Sequence, residues 1–136
     1  MNLIYNREDD LSAEEFISVL NESGLGERRP VNDYEKITKM IANANLIITA
    51  RENDKLIGVA RSLTDFTYCT YLSDLAVALD FQKRGIGKEL INRTYEASKP
   101  ARLILLSAPA AVDYYPKIGL EKHNNCYILS DITKLK

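Results

Sequence analysis

The stretch Gln82-Lys83-Arg84-Gly85-Ile86-Gly87 decides how this chain is read, through what stands on either side of it. Before it runs Tyr71-Leu72-Ser73-Asp74-Leu75-Ala76-Val77-Ala78-Leu79, with the character of a buried strand; after it Ile86, Leu90, Ile91, Thr94, Tyr95 and Ser98 recur at helical spacing. The order is strand, glycine loop, helix. A helix N-terminus offers backbone N–H groups without intrahelical partners and the positive end of the macrodipole. The glycines allow close approach, and Lys83, Arg84 and Lys88 surround the loop with cations. The expected ligand therefore carries phosphate.

Two familiar phosphate loops do not fit. The dinucleotide fingerprint needs a third glycine where Leu90 stands, and no βαβ unit opens the chain. The nucleoside-triphosphate loop needs Ser or Thr after Gly-Lys, where this chain has Glu89, and an earlier glycine where it has Gln82.

The chain has 136 residues, 46% of them hydrophobic and 27% charged, which suits a single globular domain over residues 1–136. A net charge of −1 supplies no field to attract nucleic acid or an anionic membrane, so the cations at the loop read as a local pocket. The sequence has no apolar run of the ~20 residues that span a bilayer, and its N-terminus lacks signal-like character; a cytoplasmic location is expected. Two cysteines and one histidine suggest neither a disulfide framework nor a metal site, and Cys69 and Cys126 are read as small hydrophobes.

A short strand is expected over 2–6. The capping box Ser12-Ala13-Glu14-Glu15 starts a helix that ends at Gly24 or Gly26, and Asp33 caps a second helix with Ile37, Met40, Ile41 and Ala44 on one face. Strand-like runs over 46–50, 56–63 and 68–79 form an antiparallel meander, broken by Glu52-Asn53-Asp54-Lys55 and Thr64-Asp65-Phe66-Thr67. Past the glycine-loop helix, Arg102 to Ser107 reads as a central strand, 110–118 as a helix ending at Gly119, and 126–129 as a last strand. A crossover from the fourth strand through the helix to a parallel fifth strand places the glycine loop at the C-terminal ends of those strands, where open sheets bind ligands.

Gln82, Gly85 and Gly87 match the acetyl-CoA motif of the GNAT N-acetyltransferase superfamily, Gln/Arg-x-x-Gly-x-Gly/Ala, and over nearly its whole length the chain resembles that family. Tyr114-Tyr115-Pro116-Lys117-Ile118-Gly119-Leu120 is similar to the family's closing motif, with Tyr115 at the tyrosine position. The resemblance implies an α/β (α+β) fold: a mixed, mostly antiparallel central sheet flanked by helices, with a splayed parallel β4/β5 pair holding the cofactor. It implies acetyl-CoA as co-substrate and no metal. The loop residues Gln82, Lys83, Arg84, Gly85, Ile86, Gly87 and Lys88 would wrap the pyrophosphate, while Leu75, Ala76 and Val77 on a bulged fourth strand would pair with the pantetheine arm. Ser107 stands where many members have an asparagine; the proline often found after the fourth strand is missing from Ala78-Leu79-Asp80, and Leu120 replaces a usual phenylalanine.

Acetyl transfer needs a neutral amine, a donor for the oxyanion and a proton for the leaving thiolate. An amide near Leu75 or Val77 suits the oxyanion. By the resemblance Tyr115 is the candidate acid, a phenol near ~10 and a thiol near ~8.5 lying close enough for proton transfer. Asp74, among apolar neighbours, is either a base, an acceptor-pocket residue or a structural carboxylate bonded to backbone. Asp65 reads as a turn cap or an ammonium ligand, and Arg28, Arg29 and Arg61 as solvated residues or as ligands for an acceptor carboxylate. His123 reads as a surface residue.

The expected activity is transfer of an acetyl group from acetyl-CoA to a primary amine of a small molecule or amino-acid-like acceptor, by direct attack in a ternary complex, in a monomer or homodimer. The alternatives are a non-catalytic CoA-binding regulatory module and an acyl transferase that carries the acyl group on Cys69 or Cys126.

Overall fold

The capping residues act as the sequence predicts. Ser12 Oγ accepts the Glu15 amide at 3.2 Å and opens helix α1 (Ala13–Ser23); Asp33 Oδ1 accepts the Lys36 amide at 3.0 Å and opens α2 (Tyr34–Asn43). The computed structural model describes residues 2–136, and by its internal contacts the chain divides into two compact units, 1–106 and 107–136.

The first unit holds a sheet of five strands, β1 (Leu3–Arg7), β2 (Leu46–Glu52), β3 (Lys55–Thr64), β4 (Cys69–Val77) and β5 (Arg102–Ile104), in the order β1-β2-β3-β4-β5. The first four pair antiparallel and β4 pairs parallel with β5. Asn53 and Asp54 both adopt positive φ, 49° and 68°, the geometry of a two-residue hairpin between β2 and β3. At the β3–β4 turn Asp65 Oδ1 accepts the amides of Thr67, Tyr68 and Cys69, so this carboxylate is a turn cap.

Helices cover both faces. Phe16, Val19 and Leu20 of α1 and Ile37 and Ile41 of α2 pack on Ile47, Leu56, Val59 and Ala76; helix α3 (Ile86–Ser98) packs Ile86 and Leu90 on Leu46, Ile48, Ala60 and Leu72 across the other face. Each buried Phe, Leu, Ile or Val side chain among these contributes roughly 1.5–3 kcal/mol by leaving water. Gly58 lets α3 sit close to β3: a Cβ there would stand 3.2 Å from Leu90 Cδ1 and 3.4 Å from Ile86 Cγ2. The first turn of α3, and the glycine loop before it, is thereby fixed against the sheet.

A bulge re-phases β4. Arg61 pairs with Asp74 and Ser62 with Leu72, leaving Ser73 as the extra residue. Leu72 therefore packs on the α3 side, while Ala76, an even number of residues further on, packs on the side of α1 and α2. Pairing with β5 covers only Cys69, Thr70 and Tyr71, so from Leu72 to Val77 the outer edge of β4 has no strand partner among the described residues.

Four expectations fail in detail. Strand β5 stops at Ile104 rather than Ser107, because its partner is diverted at the bulge. The helix expected over 110–118 is a 3-10 turn at Pro109–Ala111 followed by the single turn α4 (Tyr114–Lys117): Pro116 has no N–H, so a helix running through it would lose the bond to the Val112 carbonyl. Residues 126–129 form no strand; a strand needs a ladder partner, none of the five strands supplies one, and Tyr127 is 90% exposed. Cys69 and Cys126 are both exposed rather than packed as hydrophobes.

Candidate active site

The glycine loop takes a conformation suited to an anion. Lys83 has φ +64° and Gly85 has φ +82°, two left-handed residues separated by Arg84 ahead of α3. Left-handed and right-handed residues in succession turn consecutive amides toward one point, an arrangement that binds anions. At Lys83 the left-handed backbone costs roughly 1–2 kcal/mol, strain of the kind that clusters at ligand loops. Gly85 occupies the N-cap of α3 without any side-chain cap, so the first amides of the helix remain available to a ligand. Lys83 and Lys88 form no ion pair among the described residues, while the Arg84 guanidinium lies 5.2 Å from the centre of the Phe81 ring.

Gln82 ties the loop to the strand. Its side-chain amide donates to the Val77 carbonyl at 2.8 Å and to the Ser23 carbonyl, at the end of α1, at 3.4 Å. The motif glutamine thus sets where the loop leaves β4. Loop and open strand edge, residues 82–88 and 75–77, are brought together in one unit, which also contains the bulge.

Asp74 lies two residues past the start of the open edge, fully buried on the side of α1 and α2. Both its oxygens are engaged by guanidinium groups, Oδ1 by Arg29 Nε and Oδ2 by Arg61 Nε. Arg61 also donates to the Met40 carbonyl and to Ser73 Oγ, both at 3.0 Å, and Arg29 donates to the Ser73 and Arg28 carbonyls, both at 2.9 Å. The two arginines thus satisfy the bulged residue from both its backbone and its side chain. Sequence reasoning raised Arg29 and Arg61 only as solvated residues or carboxylate ligands. Their role at Asp74 depends on the bulge, which turns Asp74 to the arginine side, and no residue pattern announces that register shift.

In the second unit Tyr115 sits in α4, its ring 5.2 Å from that of Tyr114 in an edge-to-face contact. Burial, and secondarily the neighbouring Tyr114, push its phenol above the ordinary tyrosine value, which keeps it protonated through the neutral range. The turn closes as the motif implies, with the Leu120 amide on the Tyr115 carbonyl at 3.0 Å and Gly119 at φ +106°. Ser107, also in this unit, donates its hydroxyl to the Ala108 carbonyl at 2.7 Å. His123 Nδ1 accepts the Asn125 amide on an exposed segment.

The described residues include no group of three or more metal-ligating side chains and no helix long and apolar enough to cross a membrane. Loop, uncapped helix and open strand edge together present backbone groups without helical or strand partners.

The chain is similar to known acetyltransferases. The Acetyltransferase (GNAT) domain family matches residues 10–132. A curated relative, the uncharacterized N-acetyltransferase ycf52 of Pyropia yezoensis, is 28% identical over 102 residues, 70% of this chain and 57% of that protein. Among solved structures, a GNAT-family acetyltransferase of Streptococcus pneumoniae TIGR4 superposes with a TM-score of 0.75 at 18% identity, covering 95% of this chain and 99% of its own. The PaiA N-acetyltransferase of Thermoplasma acidophilum, in complex with coenzyme A, gives a TM-score of 0.70 at 19% identity over 93% and 94% of the two chains. With a family match that spans all but the two ends of the sequence, the chain belongs to the GNAT acetyltransferase family.

Proposed function

We propose that the protein transfers an acetyl group from acetyl-CoA to the primary amine of a small molecule, by direct attack of the amine on the thioester. The observation that carries this reading is the left-handed Lys83 and Gly85 pair ahead of the uncapped N-terminus of α3, set beside a β4 edge free from Leu72 to Val77. Amides of residues 83–88, with Lys83, Arg84 and Lys88, hold the pyrophosphate; Leu75, Ala76 and Val77 pair with the pantetheine arm. Membership of a family with members solved in complex with coenzyme A supports this assignment. Ser107 is a further candidate contact to the arm. In this reading residues 1–136 work together as one catalytic domain, of monomeric or homodimeric form, acting in the cytoplasm.

The acceptor nitrogen bonds to the thioester carbon, and an amide on β4 near Leu75 or Val77 receives the oxyanion. As the tetrahedral centre collapses the carbon–sulfur bond breaks and sulfur takes a proton from Tyr115; the proton lost by the amine passes to solvent, from which Tyr115 is reprotonated. Transfer from a phenol near ~10 to a thiolate whose acid is near ~8.5 runs uphill by about 2 kcal/mol, and the raised value of Tyr115 adds to that. Formation of the stable amide offsets the cost. What Tyr115 provides is a fully protonated donor at neutral pH. Asp74, with both oxygens on guanidinium groups and no exposed surface, acts as a positioning residue for the bulge rather than as a base.

The test follows thiol release from acetyl-CoA against amino acids, aryl amines, polyamines, aminoglycosides and short peptides, with Tyr115→Phe alongside. Turnover on one class, falling about 100-fold or more in the variant, is expected. Cofactor binding without turnover on any class, unchanged in Tyr115→Phe, would instead support a non-catalytic binding module. An acetylated protein after acetyl-CoA alone, lost in Cys69→Ser or Cys126→Ser, would support a carrier cysteine.

A further inference from the structure

We infer that the acceptor carries a carboxylate near its amine, and that Arg29 receives it; the inference rests on the acetyl-transfer reading above and names its substrate class. Arg29 and Arg61 share one carboxylate, Asp74, and neither has another ion-pair partner among the described residues. The cluster therefore holds one positive charge in excess. Excess charge in a place so poorly solvated is costly unless a counter-charge arrives.

The two arginines differ in what they can still bind. Arg61 is buried and meets Asp74, the Met40 carbonyl and Ser73 Oγ. Arg29 keeps 22% of its side chain exposed, and of the five N–H donors of a guanidinium its contacts to Asp74, Arg28 and Ser73 use three. The remaining N–H groups on Nη1 and Nη2 suit a planar carboxylate. Arg28, exposed and without an ion pair among the described residues, adds a second cation beside it.

Position ties this cation to the chemistry. Arg29 is bonded to Ser73 and Asp74, directly before the Leu75–Val77 segment assigned to the arm and the oxyanion, and a strand advances about 3.3 Å per residue. An anchor within about 10 Å of the reacting carbonyl matches the span of a small amino acid. The same positive charge favours the neutral form of the attacking amine, which no carboxylate of this cluster is free to deprotonate. It also opposes a polycation such as a polyamine.

The experiment compares matched acceptors on the intact chain: amino acids, their amides, and the amines of the same side chain without the carboxyl group, followed as thiol release from acetyl-CoA. The carboxylate-bearing member should win in kcat/KM by about tenfold or more. Arg29→Gln, whatever it does to turnover of both, should shrink the ratio of kcat/KM between that member and its amide by a similar factor, and Arg29→Lys should restore part of the preference. A wild type that acetylates amide or amine as well as the amino acid overturns the inference while leaving acetyl transfer standing, and needs no variant to fold. A folded Arg29→Gln with an unchanged preference overturns the role of Arg29. No thiol release with any acceptor overturns the acetyl-transfer reading and this inference with it.

Discussion

Two clusters of arginine and carboxylate fasten the N-terminal segments to the sheet, and they are built with opposite charge balance. At one, Arg51 of β2 meets two acids, Glu8 through Nε at 2.9 Å and Glu15 of α1 through Nη1 at 2.5 Å, and also donates to the Asp54 carbonyl at 2.8 Å. At the other, Arg29 and Arg61 meet one acid, Asp74. The first leaves a negative charge where Glu15 is 41% exposed, so water screens it. The second leaves a positive charge against a carboxylate with no exposure at all. The glycine loop also carries cationic residues, Lys83, Arg84 and Lys88. The difference separates a brace, in which one arginine is matched by two acids, from a cluster in which two arginines share one acid beside the open edge of β4.

The largest contrast lies in stability. Asp74→Ala should cost about 3–5 kcal/mol in urea unfolding, because it strands two guanidinium groups in poorly solvated positions. Glu15→Ala should cost below about 1 kcal/mol. Equal losses would erase the distinction between the clusters.

A smaller effect appears on acidification. Hydrogen bonds from Arg51 hold the carboxyls of Glu8 and Glu15 below the usual range. Their folded values lie under the unfolded ones, so the stability they contribute is complete above about pH 4.3 and is lost as pH falls through the folded values. Glu8→Gln should flatten the stability curve over that acid limb and leave the neutral region less stable. A limb of unchanged slope would show that the Arg51 cluster does not bind protons on unfolding.

The smallest expected change is at Lys83. Lys83→Gly relieves the left-handed strain at the expense of backbone entropy, so stability should rise by less than about 1 kcal/mol while acetyl-CoA affinity falls with the lost cation. A rise in affinity would remove Lys83 from the phosphate site.

Much of this architecture is legible before any coordinate. The capping box at Ser12, the cap at Asp33, the Asn53-Asp54 hairpin and the strand, loop and helix around Gly85 are local signals, each fixed by a few neighbouring residues. What escapes is set at a distance. The expected bulged strand is present, yet the residue at which it bulges, Ser73, is chosen by arginines 12 and 44 residues away, which hold its side chain and its carbonyl. The apolar run Tyr127-Ile128-Leu129 has the composition of a strand but gains no ladder partner, and Pro116 limits α4 to one turn. At the candidate site the glycine loop is a sequence motif, whereas the ion pairs of Asp74 with Arg29 and Arg61 are brought together only by the folded register.

The placement of acetyl-CoA on the glycine loop is decided by its binding to Gly87→Glu in titration calorimetry, beside the wild type and with thermal unfolding of both. Glutamate in the first turn of α3 suits the helix dipole and has a better helix propensity than glycine, so the fold should be retained or strengthened. At the same place it sets bulk and negative charge against the pyrophosphate. The expected result is a folded variant, with a Tm no lower than that of the wild type, that has lost acetyl-CoA affinity by about 100-fold or more. A folded variant that binds acetyl-CoA as tightly as the wild type would contradict the placement of the cofactor and the function drawn from it.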